Sequence, residues 1–283
     1  MGGVVFLALL ALIFGRDIVS LVAHAIAHEI HSHIILVPLI SAYLIFIQRD
    51  RMPRAYVTSW APAIVAGLAG IAALAAARYL LTTAAPISHN DYLAFIALSL
   101  ILFLATAGFL FRGVSWMREA AFAVAFLVFA IPLPDKVVDL LETGSKLASA
   151  EVASVLFNLS GTPVVRDGPI FQIPGIVLEV AQECSGIRSS WVLLITSVLA
   201  SYMFLKSPWR RAVLVLFIIP LGFLRNGLRI LVIGLLCVHI GPEMIHSIVH
   251  RRGGPFFFAL SLIPLFLLLW GLRKAEERRS PPA

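Results

Sequence analysis

The alternation of long apolar runs with short Lys and Arg clusters constrains this chain more than any other feature. A hydrocarbon core about 30 Å thick is crossed by roughly 20 apolar residues in a helix. Eight stretches approach that demand: 4–23, 33–47, 60–82, 92–111, 117–133, 187–205, 211–238 and 255–272. Arg16 and Asp17 interrupt the first, and the second is short. Of the 283 residues, 60% are hydrophobic and 13% charged, with a mean hydropathy of +0.97. Such a chain has too little polar surface to cover a soluble globule. The expected fold is an all-α polytopic membrane protein of about eight transmembrane helices, one integral membrane domain over 1–283.

The net charge of +7 does not point to nucleic acid. The basic residues stand between apolar runs rather than along one face, and no Gly-rich phosphate loop accompanies them. Twelve of the 22 Lys and Arg fall on one side of the expected topology, from Arg49, Arg51 and Arg54 through to Arg278 and Arg279. Clusters of that kind mark cytoplasmic loops. Both termini are therefore expected in the cytoplasm, with 273–283 as a tail. Segments 24–32, 83–91, 134–186 and 239–254 are expected outside. The first apolar run lacks a basic leader and a cleavage site, so it is expected to be retained. With two cysteines, Cys184 and Cys237, no disulfide framework organises the chain.

The external segment 134–186 has a pattern of its own. From Asp135 to Leu159, apolar residues recur at helical spacing between Glu142, Lys146 and Glu151, which predicts an amphipathic helix at the interface. Asp167-Gly168 and Pro174-Gly175 are turn signals flanked by Pro163–Arg166, Ile170–Ile173 and Ile176–Val180, which predicts a small β-meander. Its last strand leads to Glu183-Cys184-Ser185-Gly186, before the sixth span.

Ionisable groups in or beside spans are costly and read first as functional. Cys184 lies where a strand gives way to a helix, and a helix N-terminus lowers a thiol pKa. Ser185 and Gly186 permit a tight entry, and Arg188 adds positive potential. The bland alternative is a buried thiol, the usual fate of a free cysteine and the one expected for Cys237. The seventh span carries Arg225, Asn226 and Arg229. Asn226 and Arg229 share a helix face, whereas Arg225 reads as an ion-pair partner for a carboxylate such as Glu179 or Glu183. His250 precedes the last span, and a histidine can serve as a general base or acid near neutral pH, although a lone interfacial histidine commonly has no role. Taken together, a thiol, an imidazole and a guanidinium at one membrane face supply the parts of covalent acyl transfer.

Those motifs resemble the exosortase/archaeosortase family over nearly the whole chain. Glu183-Cys184-Ser185-Gly186-Ile187-Arg188 looks like its nucleophile signature, and Asn226-Gly227-Leu228-Arg229-Ile230 like its arginine motif. His250-Arg251-Arg252-Gly253-Gly254 looks like its histidine motif, with Pro255 standing where members often have Trp. Ser32-His33…Val37-Pro38, Ile131-Pro132-Leu133-Pro134 and Leu159-Ser160-Gly161-Thr162-Pro163 fall where members have similar runs. The resemblance implies a membrane cysteine protease/transpeptidase with Cys184, Arg229 and His250 as its catalytic residues and no cofactor. Its implied substrates are exported proteins ending in a sorting signal (PEP-CTERM-like): a short motif, one transmembrane helix and a basic tail. In many bacteria the family accompanies exopolysaccharide production.

Two rivals draw on other residues. His24, His28, Glu29, His31 and His33 cluster in the first external segment, and His24 and His28 on one helix face suit Zn²⁺ or Cu²⁺. A metalloprotease motif HExxH would require histidine where Ser32 stands. Eight spans with intramembrane arginines also suit a transporter or flippase of an anionic lipid or saccharide, but no inverted repeat or pair of broken helices accompanies them.

Overall fold

In lipid every backbone N–H and C=O must find an internal partner, so apolar runs become helices. The computed structural model of the chain describes residues 2–54, 57–83, 86–180, 186–246 and 253–278. Its helices are α1 (Gly2–Ala27), α2 (Leu36–Ile47), α3 (Trp60–Leu81), α4 (His89–Phe111), α5 (Gly113–Glu119), α6 (Ala121–Phe126) and α7 (Asp135–Leu159), then α8 (Ile187–Phe204), α9 (Pro208–Leu216), α10 (Ile218–His239) and α11 (Gly254–Glu277). Among the described residues seven helices are long and apolar enough to cross a membrane, or eight if one bent pair crosses as a single span. The protein is a multi-pass, all-α membrane protein with a small three-stranded sheet.

The bent pair occupies the span expected over 117–133. It consists of Gly113–Glu119 and Ala121–Ala130, which meet at 69°. Ala120 caps α5 with ψ at 0°, a conformation that ends the helical ladder and redirects the chain. Arg16 and Asp17, by contrast, do not break α1. Asp17 is buried and accepts hydrogen bonds from Arg78 Nη2 of α3 at 3.0 Å and Tyr92 OH of α4 at 2.7 Å. Pairing of this kind offsets the cost of placing a polar side chain inside an apolar bundle.

The chain falls into two units, Met1–Val138 and Asp139–Ala283. In the first, α3 presents a seam of small buried residues, Ala63, Gly70, Ala73 and Ala77. A seam without bulk lets backbones approach closely, and Ser99 of α4 donates to the Gly70 carbonyl at 2.8 Å.

In the second unit the predicted meander forms as β1 (Val165–Asp167), β2 (Ile170–Ile173) and β3 (Ile176–Glu179), antiparallel in the order β1-β2-β3. Gly168 and Gly175 make the turns with φ of 56° and 84°, which glycine adopts at no steric cost. Phe171, Ile173 and Leu178 face inward against Ala150, Ala153 and Phe157 of α7 and Ile230, Ile233 and Cys237 of α10. Cys237 is thus buried in packing, as expected. Arg166 donates to Glu151 at 2.8 Å and ties β1 to α7; that bond holds the Glu151 carboxyl below its ordinary pKa. A second core joins α8, α9, α10 and α11 around Leu193, Leu214, Leu221 and Leu265.

Candidate active site

Gly186 is the N-cap of α8 and sits in the left-handed region at φ 71°. That conformation favours glycine, and space demands it as well. A Cβ there would lie 2.9 Å from Arg225 Nη2 and 3.2 Å from Asn226 Oδ1. The start of α8 therefore rests directly on the polar turn of α10. Arg225 Nη2 donates to the Gly186 carbonyl at 2.8 Å and to Ser190 Oγ at 2.9 Å. Arg225 is 6% exposed and Asn226 2%. Arg229, one turn further along α10, is half-buried, whereas Arg188 on the first turn of α8 is exposed.

The structure thus brings together Gly186 from the cysteine motif and Asn226 from the arginine motif, forty positions apart in sequence. Cys184 precedes the Gly186 cap by two residues and lies outside the described residues, as do Glu183 and His250. Of the two carboxylates expected to partner Arg225, Glu183 lies outside the described residues and Glu179 is turned elsewhere. Glu179 is instead 3.7 Å from Lys146, and Arg225 binds a backbone carbonyl and a hydroxyl. Sequence reasoning passed over Ser190; its one signal was a hydroxyl on the first turn of an apolar helix.

The histidine cluster is a separate feature of the first unit. The His24 ring lies 4.1 Å from that of His28, 5.1 Å from His31 and 5.9 Å from His89, a fourth member contributed by α4. His24 Nε2 is 3.1 Å from Asn90 Oδ1, and Asn90 Nδ2 donates to Asp135 at 2.7 Å. His31 and His33 are both buried. Among the described residues no three His, Cys, Asp or Glu side chains are arranged to hold a metal ion.

A family model for transmembrane exosortases matches residues 25–267, most of the chain. The chain belongs to the transmembrane exosortase family. It matches no curated protein and no solved structure. Exosortases are membrane transpeptidase-type proteins that act on sorting signals. The matched stretch contains the cysteine, arginine and histidine motifs and leaves His24 outside. Within this exosortase, the described site is the junction of α8 and α10: a helix N-terminus, a buried arginine and asparagine, and a second arginine one turn away. The α8 dipole and the two arginines make such a junction electropositive, suited to a thiolate or an oxyanion.

Proposed function

We propose that this exosortase is a cysteine-type endopeptidase/transpeptidase that cleaves C-terminal sorting signals of exported proteins, with Cys184, Arg229 and His250 as its catalytic residues. The contact between Gly186 and the Arg225-Asn226 turn carries the reading, because it joins the segment following Cys184 to the helix bearing Arg229. The Cys184 thiolate attacks the scissile carbonyl carbon. Arg229 and the start of α8 stabilise the oxyanion. The C–N bond then breaks, and His250 gives its proton to the departing amine. Water or an acceptor amine attacks the resulting thioester, losing its proton to His250 and freeing the thiolate.

The distribution of Lys and Arg supports an extracytoplasmic site with both termini in the cytoplasm. Substrates on this reading carry a PEP-CTERM-like signal with one transmembrane helix and a basic tail, and the reaction serves surface anchoring in an exopolysaccharide-producing cell. A peptide bearing a thiol-reactive warhead tests the assignment. It is expected to label Cys184 at pH 7 faster than the buried Cys237. His250→Ala is expected to keep that labelling but lose turnover. Labelling that survives Cys184→Ala at full extent contradicts the reading.

A further inference from the structure

Arg225 is a poor choice for stability alone. Burying a guanidinium costs several kcal/mol unless the charge is paired and hydrogen-bonded. Here its bonds run from Nη2 to the Gly186 carbonyl at 2.8 Å and Ser190 Oγ at 2.9 Å. Nη1 is buried and meets no acceptor among the described residues. No described carboxylate pairs with this side chain, and its charge lies at the positive end of the α8 dipole, where a cation is disfavoured. An apolar residue at this place would fill the α8–α10 contact without those costs.

What the arginine does supply is geometry. The carbonyl it holds belongs to the N-cap residue, the hinge at which the chain leaves a left-handed turn and enters α8. That same carbonyl also accepts from Ser190 N at 3.0 Å and Ser189 Oγ at 3.0 Å. The first turn of α8 and the side chain from α10 therefore converge on one oxygen. Gly222 leaves room for the Ser190 hydroxyl: a Cβ at Gly222 would stand 3.0 Å from Ser190 Oγ. Arg229 projects from α10 one turn beyond Arg225, so whatever fixes Gly186 on Arg225 also fixes the entry to α8 relative to Arg229.

We propose that Arg225 is a positioning residue: through the Gly186 carbonyl and the Ser190 hydroxyl it sets the register between the entry to α8 and the arginine that stabilises the reacting centre. The inference rests on the cysteine reading above. Misplacing reacting groups by about 1 Å costs on the order of 100-fold in rate, so the effect belongs in turnover rather than in substrate affinity.

The test uses the full-length protein reconstituted with a sorting-signal substrate. Arg225→Met, Arg225→Lys, Ser190→Ala and Cys184→Ala are compared for kcat and KM per folded molecule and for the pH dependence of Cys184 alkylation. Arg225→Met is expected to lower kcat at least about tenfold with KM little changed, and to move the alkylation profile to higher pH. Arg225→Lys, which keeps the charge but is a shorter point donor, is expected to recover part of both. Ser190→Ala is expected to lower kcat by a smaller factor. Wild-type kcat and alkylation profile in Arg225→Met overturn the proposal. If Arg225→Met does not accumulate, Ser190→Ala decides, and wild-type values there overturn it equally. Cys184→Ala separates the two failures: cleavage persisting in that variant sinks the cysteine reading, whereas an inactive Cys184→Ala beside a fully active Arg225→Met sinks the positioning role alone.

Discussion

At the scale of single residues, Gly186 is the tightest constraint in the described site. Its φ of 71° costs a side-chain-bearing residue roughly 1–2 kcal/mol, and the neighbouring guanidinium and amide are buried. Gly186→Ala is expected to lower stability by about that amount, measured as a shift in thermal unfolding, and to depress turnover further by displacing Arg225. Arg229→Ala is expected to reduce processing about 100-fold or more, the scale of a lost oxyanion donor. Arg229→Lys is expected to rescue poorly, because a point charge does not replace a planar donor fork. Activity near wild type in Arg229→Ala would move the role to another group. Asn226 and Arg229 stood out as candidates because polar residues are conspicuous in an apolar run, and Cys184 and His250 because they stand beside the starts of two spans. The partners of Arg225 were not. A backbone carbonyl leaves no mark in a sequence, whereas a carboxylate such as Glu179 does, and Glu179 pairs with Lys146 instead.

At the scale of elements, α7 seats on α10 through two glycines one heptad apart. A Cβ at Gly227 would stand 2.7 Å from Val152 Cγ1, and one at Gly234 would stand 2.4 Å from Phe157 Cζ. These are packing contacts in a closed core, where added bulk costs about 1–3 kcal/mol. Gly234→Ala is expected to destabilise the protein by that amount, with part of the loss recovered by Phe157→Leu, as read by thermal unfolding in detergent. A neutral Gly234→Ala would mean that α7 does not pack as closely on α10. The course of α7 was readable because its apolar residues repeat at helical spacing. The three strands were readable because Asp167-Gly168 and Pro174-Gly175 announce turns. The bend between α5 and α6 was not, since hydropathy reports how long a run is apolar and says nothing of its direction. His89 and Asn90 were likewise missed as neighbours of His24, because only the packing of α4 beside α1 brings them there.

For the whole molecule, the Lys and Arg distribution predicts which faces meet the cytoplasm, and the chemistry depends on that prediction. A reporter fused after Gly161 is expected to read as extracytoplasmic; a cytoplasmic signal would place the α7–meander insertion, and the α8 entry with it, on the wrong side for exported substrates. The multi-pass architecture followed from length and apolarity alone. The catalytic reading needed three motifs far apart in sequence, of which the fold joins the first two through Gly186 and Asn226. The most direct measurement is co-expression with a substrate carrying a short sorting motif, one transmembrane helix and a basic tail, followed by mass spectrometry of its new C-terminus. The account predicts a single cleaved end with the wild-type protein and uncleaved substrate with Cys184→Ala at equal abundance. Release of the same end by Cys184→Ala would contradict it.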